Sequence, residues 1–373
     1  MTAGLIAFLC TVIGMWSGMH YYVFRNLAAT GLDRTLLTAV LWVLALIFPL
    51  TRLLAFKFRN GLLRAFYAIG AVWMGSVFLL SFWFLVSSAA RMGLRRAGFS
   101  GAIDPVPWIA CTAVAVLAMV LWGVYHAMGG PKEVRFTVDR SKRFGKGKQS
   151  RFVQISDVHL GLTLGTPFLE SLVERINLLK PDLLFITGDF FDPEFPDDEG
   201  AIAALRKLRT TEGAFAVSGN HEFYSGLDRF LSMMEKAGIP VLNNETRMTA
   251  SGLQVSGIHD QTANRFTALG VTCDLGKALT SINPSLPSVL LAHQPKELEP
   301  AVAQRVDLIL SGHTHAGQIF PFRAVVRMAY RYLGGRYALG PDTDLIVCTG
   351  TGFWGPPLRL WTDSQIVVID FKF

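Results

Sequence analysis

Two histidines lie one residue apart in the stretch SGHTH, at residues 311–315. The preceding residues, 306–310, form an apolar run with the length and composition of a buried strand. Gly312 stands directly before the pair. This stretch alone leaves two interpretations open. One is a tight turn that contains polar residues, and the other is a metal site to which His313 and His315 contribute imidazole ligands.

Other short apolar runs further along the chain also end in polar residues. The runs RFVQIS, DLLFIT, GAFAVS, SVLLA and VDLILS are each followed by carboxylate, amide or imidazole side chains. These candidate ligands are Asp157, His159, Asp189, Asn220, His293, His313 and His315, with His221 beside them. Each residue alone is more often an ordinary loop residue. Together, oxygen ligands and neutral imidazoles suit Mn²⁺, Fe or Zn²⁺ better than Ca²⁺ or a thiolate site.

The elements that must position these residues follow from the same pattern. Helix-like stretches at 167–180 and 199–209 alternate with the strand-like runs, which predicts an α/β domain. In such sheets ligands bind beyond the carboxyl ends of the strands, and the candidate ligands all follow strand-like runs. We therefore expect one site at one edge of the sheet.

Local geometry was predicted from the spacing of the ligands. Side chains of an extended segment alternate with a period of two, so Asp157 and His159 are expected to point to the same side, as are His313 and His315. The glycines at positions 188, 219 and 312 are expected to provide sharp turns after the strands. The paired histidines are then best explained as ligands, with a glycine turn before them.

Five motifs carry a family resemblance. In order, SDVHLG, TGDFFD, SGNHEF, LAHQP and SGHTHAGQI resemble those of the calcineurin-like metallophosphoesterases, and the closing GTGFWGPPLRL is similar to that of their membrane-associated branch. The resemblance covers residues 132–373, and the motif set is highly specific. It implies a metallophosphoesterase domain at 131–373 with a calcineurin-like phosphoesterase fold, an α/β two-sheet sandwich flanked by helices.

The resemblance also implies a site with two divalent metal ions, Mn²⁺ first and Fe or Zn²⁺ as alternatives, and no other cofactor. The ligands of the first ion would be Asp157, His159 and His315. The ligands of the second would be Asn220, His293 and His313, with Asp189 bridging the two. A bridging hydroxide would attack phosphorus in line. His221 would be catalytic, stabilising the transition state or protonating the leaving oxygen.

Several polar residues near the motifs receive weaker assignments. Where the family has an aspartate-rich segment, this chain has GIHDQ at 257–261. Asp260 is a candidate for orienting a ligand, without an assigned role. Asp192 and Glu222 are expected to support the ligands or to lie on the surface, and His259 is expected to be structural.

The first third of the chain predicts a membrane anchor. Four apolar runs, at 5–24, 36–56, 66–90 and 108–128, are long enough to span a bilayer. The first lacks the basic start and cleavage site of a signal peptide, so residues 1–130 are interpreted as a transmembrane region with four helices. The acidic residues Asp33 and Asp104 fall in loops, which favours an anchor over a transporter.

The positive charge predicts orientation and excludes one class of partner. The chain has a formal net charge of +7, but the basic excess lies in the membrane region and in residues 132–151, which suits anionic lipid better than nucleic acid. Lysine and arginine are denser in the second loop, which contains Arg59, and in 132–151, which contains Lys146. The catalytic domain is therefore predicted to be cytoplasmic, at the inner (cell) membrane. The 4 cysteines form no CxxC pair, so no disulfide framework is predicted.

The leading functional hypothesis is a membrane-anchored phosphoesterase. The resemblance implies one specific activity, cleavage of the pyrophosphate of UDP-2,3-diacylglucosamine on the way to lipid A. The alternatives are a phosphodiesterase for another phospholipid or a soluble phosphodiester, and an inactive metal-stabilised binding or signalling module. The expected partners are membrane lipids and a phosphorylated substrate. Residues 322–337 place Arg323, Arg327 and Arg331 four apart, which indicates an amphipathic surface helix or, more specifically, contact with lipid head groups or a substrate phosphate.

Overall fold

The computed structural model describes residues 3–58, 60–99, 104–145 and 147–373. The chain divides into two compact units, Met1–Met128 with Gly355–Leu358 and Gly129–Trp354 with Arg359–Phe373. Arg59 and Lys146, two of the basic residues used to predict orientation, lie outside the described residues.

The first unit contains the apolar helices. They are α1 Ala3–Ala28, α2 Arg34–Leu54, α3 Gly61–Arg96 and α4 Pro105–Met128. Within the described residues all 4 are long and apolar enough to cross a membrane. Helix α3 extends beyond the predicted run at both ends. The Asn60 side chain caps its start by accepting from Leu63 N, and Arg95 and Arg96 lie in its last turn, where positive charge is favourable.

The second unit is built on two sheets. Its strands are β1 Lys132–Asp139, β2 Gln149–Ile155, β3 Leu183–Thr187, β4 Gly213–Val217, β5 Glu245–Met248, β6 Gln254–Gly257, β7 Ser288–Leu291, β8 Leu308–Ser311, β9 Gly335–Ala338, β10 Asp344–Val347 and β11 Gln365–Lys372. In the described chain the strand orders are β1-β11-β2-β3-β4 and β5-β6-β7-β8-β10-β9. Strands β2, β3 and β4 are mutually parallel, as are β6, β7, β8 and β10. Parallel neighbours end at the same sheet edge.

Helices cover the outer faces of the two sheets. They are α5 Ser141–Phe144, α6 Thr166–Leu178, α7 Asp198–Leu205, α8 Asn220–Ser225, α9 Leu227–Ala237, α10 Leu275–Leu279, α11 Glu299–Ala303 and α12 Phe322–Ala329. Helix α6 shows the cause: its buried residues Leu169, Leu172, Val173 and Ile176 recur at helical spacing on one face. The predicted helix 199–209 ends early, at Leu205, and Asn177 then accepts from Arg209 N and donates to Lys207 O.

Alternation along the strands creates separate apolar layers. Phe152 and Phe185 point into a core shared with Val289 and Leu308 of the other sheet. Their neighbours Val153 and Leu184 instead pack under α6, α7 and α9. A third cluster lies between the second sheet and helices α10 and α11. The predicted two-sheet sandwich flanked by helices is confirmed.

Candidate dinuclear metal centre

The candidate ligands lie where the strands of both sheets end. Asp157 and His159 follow β2, Asp189 follows β3, and Asn220 follows β4 at the start of α8. His293 follows β7, and His313 and His315 follow β8. The structure brings ligand atoms of six of them into groups whose members lie within 4.8 Å of one another.

The first group consists of Asp157, His159 and His315. The Nε2 atoms of His159 and His315 lie 3.2 Å apart. Asp157 Oδ1 is 3.3 Å from His315 Nε2, and Asp189 Oδ2 is 3.8 Å from His159 Nε2. Four donor atoms therefore converge from three separate loops.

The second group shares Asp189 with the first. Asp189 Oδ2 lies 3.2 Å from His293 Nε2, which is 3.2 Å from His313 Nδ1. Asn220 Oδ1 is buried and has no hydrogen-bond partner among the described residues. Since one oxygen of Asp189 faces both groups, the structure places this carboxylate where a bridging ligand is expected.

Outward hydrogen bonds set the orientation of three imidazoles. The partners are Asp192 Oδ1 for His159 Nδ1 at 2.9 Å, the Thr187 carbonyl for His293 Nδ1 at 2.7 Å and the Tyr330 hydroxyl for His313 Nε2 at 2.6 Å. In each ring the opposite nitrogen points into the cluster. Such bonds fix the tautomer and raise the basicity of a ligating imidazole.

These side chains fit two divalent cations. The unpartnered Asn220 oxygen is a buried acceptor that costs free energy unless a cation or donor meets it. Burial lowers the pKa values of His313 and His315 to about 4, which leaves both rings neutral, as metal ligands must be. Although burial opposes it, Asp189 raises the pKa of His293 well above its usual value, so the cluster favours positive charge.

The local backbone differs from the extended segments that the spacing predicted. Asp157 and His159 have φ of 52° and 48°, and His313 and His315 have φ of 70° and 46°. Asp189 has φ of 52°. Left-handed backbone costs free energy in residues other than glycine and is concentrated at functional sites. The prediction that each pair shares one side of an extended segment was therefore wrong, and tight left-handed turns converge the ligands instead.

Two of the three glycines act through space rather than through turning. Gly188 has φ of +90°, as a sharp turn requires, but Gly219 and Gly312 do not have positive φ. A Cβ on Gly219 would collide with Asp189 Oδ1, and one on Gly312 would collide with Asp157 Oδ2. The prediction that Gly312 supplies a turn was wrong: it lets the β8 loop approach the carboxylate of Asp157.

His221 stands at the rim of the cluster. Its Nδ1 lies 2.8 Å from Asp192 Oδ1, the same oxygen that meets His159, and its ring centroid is 4.5 Å from that of His159. Its side chain is 15% exposed. Although burial opposes it, the carboxylates of Asp189 and Asp192 raise the pKa of His221 to about 9. Asp192 thus orients one ligand and the catalytic candidate together.

Glu222 holds the loops around Asp189. Its carboxylate accepts from the backbone N–H groups of Asp189, Phe190 and Gly219, at 2.9, 2.7 and 2.6 Å. Burial, followed by the nearby Asp189 charge, raises the pKa of Glu222 to about 7. Its position two residues after Asn220, within SGNHEF, was the available sequence signal.

Asp260 acts at one remove. It accepts from Gln294 Nε2 at 3.0 and 2.9 Å, and Gln294 Oε1 accepts from the Tyr330 hydroxyl at 2.8 Å. Tyr330 therefore receives the Nε2 proton of His313, so this chain of bonds orients that ligand. His259, expected to be structural, is buried with its Nδ1 2.8 Å from Ser218 Oγ.

Sequence reasoning assigned no role to Arg359, although it lies in the quoted closing motif. It is fully buried and donates to the carbonyls of Gly352 and Thr349. Its guanidinium also lies 3.3 Å from His315 Nδ1. Arg359 therefore fixes the last loop beside one ligand.

Exposed aromatic rings flank His221. The ring centroids of Tyr224 and Trp354 lie 5.8 and 6.4 Å from that of His221. These two residues are 54% and 51% exposed. They offer apolar surface beside the one histidine of the cluster that is best placed to reach a leaving group.

Comparison with known proteins agrees with this arrangement. The family description "Calcineurin-like phosphoesterase" matches residues 150–317. A Helicobacter pylori protein named "Uncharacterized metallophosphoesterase" is 35% identical over 259 residues, which cover 69% of this chain and 68% of that protein. The Bos taurus "Transmembrane protein with metallophosphoesterase domain" is 34% identical over 272 residues, covering 70% and 61%. A crystal structure of a Danio rerio dimetal phosphatase aligns with a TM-score of 0.36 at 14% identity, covering 56% of this chain and 89% of that one.

Proposed function

This chain belongs to the calcineurin-like metallophosphoesterase family and is a phosphoester hydrolase, and we propose that it cleaves a phosphoester or pyrophosphate bond in a membrane lipid. The most specific candidate substrate is UDP-2,3-diacylglucosamine, an intermediate towards lipid A. One observation carries the reaction: two groups of ligands share Asp189, and His221 stands at their rim.

Asp157, His159 and His315 would hold one ion, Asn220, His293 and His313 the other, and Asp189 both. We propose Mn²⁺ for these mixed oxygen and imidazole ligands, with Fe or Zn²⁺ as alternatives. Two such ions supply an activated water and neutralise the charge of the phosphoryl oxygens.

His221 would supply the proton that the leaving oxygen needs. Its Nδ1 is engaged by Asp192, so Nε2 is the nitrogen that can face a substrate. Asp192 also meets His159, and it therefore keeps the proton donor in register with the ligand cluster. A correctly placed acid of this kind contributes roughly 10²- to 10⁴-fold to the rate.

The membrane region supports a lipid substrate. Four helices in the described chain can span a bilayer, and only residues 129–131 separate α4 from β1. Tethering favours substrates that share the membrane, and Tyr224 and Trp354 provide apolar surface for a nucleobase or an acyl chain. We further propose that the domain faces the cytoplasm at the inner membrane, because the basic loops are expected on that side.

The substrate is tested by release of UMP. Full-length protein purified in detergent is incubated with UDP-2,3-diacylglucosamine and Mn²⁺, beside Asn220→Ala and the surface control Asn177→Ala. We expect release that requires the metal and Asn220 but not Asn177. Cleavage of an aryl phosphodiester without UMP release would retain the hydrolase and reject this lipid, and no reaction with either would favour the binding-module alternative.

The role of His221 is tested separately with aryl phosphodiesters whose phenols differ in acidity. In His221→Gln the rate should depend more steeply on leaving-group acidity, because poor leaving groups lose their proton donor. An equal loss for every leaving group would show that His221 acts in binding or charge stabilisation instead.

A further inference from the structure

Helix α12 (Phe322–Ala329) has no buried residue although it is strongly amphipathic in sequence. Its apolar side chains Phe322, Val325 and Met328 are 41%, 51% and 86% exposed. An amphipathic helix of a soluble domain normally turns this face to the core. We call Phe322, Val325 and Met328, with Arg323 and Arg327, the α12 surface.

The α12 surface separates apolar and basic side chains. At 100° per residue, Val325 and Phe322 lie on one side of the helix, and Arg323 and Arg327 lie together on another. Both arginines are exposed, and among the described residues no carboxylate forms an ion pair with either. Apolar residues on one face and basic residues on the other are typical of helices that lie in a membrane interface.

More apolar surface adjoins the helix. Phe320 is 37% exposed and Trp361 is 64% exposed, and their rings pack edge to face at 4.7 Å. Tryptophan is favoured at the boundary between lipid and water because its ring is apolar and its N–H is polar. The exposed apolar area is therefore larger than one helix face.

The charge of this region selects lipid over a second copy of the chain. Residues 320–337 contain arginines but no aspartate or glutamate. In a symmetric dimer through this face, arginines would meet arginines. An anionic bilayer complements both the apolar and the basic residues, and the chain carries helices that can span one.

Helix α12 is also connected directly to the metal ligands. Its backbone at Arg323 packs so closely on Gly317 that a Cβ there would collide with it, and Gly317 lies two residues after His315. Just beyond its other end, Tyr330 meets His313 Nε2 at 2.6 Å. The orientation of α12 is thus the orientation of two ligand loops.

We propose that α12 is an interfacial helix that inserts its apolar face into an anionic lipid surface. Arg323 and Arg327 bind lipid phosphates there, and the docked helix presents the metal site to that surface. The inference rests on membrane association and does not depend on the proposed hydrolysis, so a failure of one leaves the other standing.

The test places a fluorescent label on the helix of the full-length protein in lipid nanodiscs. A nitrobenzoxadiazole label is attached through Met328→Cys, with Leu178→Cys as the matched control, because Leu178 is an apolar residue of another helix that is 80% exposed. The native cysteines are first replaced by alanine; they are Cys10, Cys111, Cys273 and Cys348. Quenching by a nitroxide carried on lipid and reduction by aqueous dithionite are both measured.

In discs containing phosphatidylglycerol we expect the label at 328 to be quenched by the lipid nitroxide and to be reduced more slowly than the label at 178. Discs of phosphatidylcholine alone should protect it less. Arg323→Gln with Arg327→Gln should lower the docked-to-free ratio roughly 30-fold. Unchanged metal content would show that this variant remains folded.

Two results would overturn the proposal. One is dithionite reduction at 328 as fast as at 178 in both kinds of disc. The other is protection at 328 without quenching by the lipid nitroxide and without dependence on the arginines, which would assign the surface to a second copy of the chain.

Discussion

Replacing Asn220 by alanine should separate its role as a ligand from any role in the fold. Its Oδ1 is buried without a partner among the described residues, so the metal-free protein loses no hydrogen bond of that oxygen when the side chain is removed. An unsatisfied buried polar group costs about 1–3 kcal/mol. Alanine also favours the first turn of α8 by a few tenths of a kcal/mol. The metal-free variant should therefore be as stable as the parent or up to about 2 kcal/mol more stable.

The sign reverses when metal is present. Loss of a ligand should weaken binding of one ion by about 100-fold or more, given that loss of even an outer-shell partner costs about 10- to 100-fold. At saturating metal, a 100-fold weaker affinity removes about 2.7 kcal/mol of stabilisation. Asn220→Ala should thus gain less stability from Mn²⁺ than the parent, while its metal-free form is not weakened.

The assay is calorimetric unfolding of the full chain with chelator and with Mn²⁺, together with metal content by mass spectrometry. Asn177→Ala is the control, because Asn177 makes two hydrogen bonds, to Arg209 N and Lys207 O. That variant should lose about 1 kcal/mol in both conditions. The reasoning would be refuted if Asn220→Ala destabilised the metal-free protein as Asn177→Ala does and still bound two ions per chain.

Three further outcomes are expected. Asp192→Asn should lower kcat about 10- to 100-fold with little change in KM, because two histidines lose the carboxylate that orients them; an unchanged kcat would contradict this. Gly312→Ala should abolish metal binding, measured by mass spectrometry, because its Cβ collides with Asp157, whereas Gly147→Ala has open space and should bind normally. Chelation should abolish turnover and lower the unfolding temperature, and added Mn²⁺ should restore both; activity that survives complete metal removal would exclude a metal-dependent reaction.

Much of this protein was determined by local sequence. Four long apolar runs predict membrane helices because an apolar segment of that length has few other stable environments. The apolar runs that end in polar residues predicted the strands and the edge where their side chains meet, since parallel strands align their carboxyl ends. The candidate ligands Asp157 to His315 were all named from these positions, and the structure brings them together in one cluster.

The backbone at the site was decided only in the folded protein. A two-residue spacing is compatible with an extended segment or with a turn, and Asp157 and His159 adopt left-handed φ because contacts from other loops hold them there. For the same reason the role of Gly312 could not be read from its neighbours. The atom that a side chain at 312 would strike belongs to Asp157, more than 150 residues earlier in the chain.

The supporting hydrogen bonds also required the tertiary structure. Glu222 reaches the backbone of Asp189, the bonds from Asp260 end at His313, and Arg359 lies against His315. A short sequence pattern records which residues can serve as ligands, because that depends on side-chain chemistry. Which residues orient them depends on distances between segments far apart in sequence, and only the packing of the two sheets determines those distances.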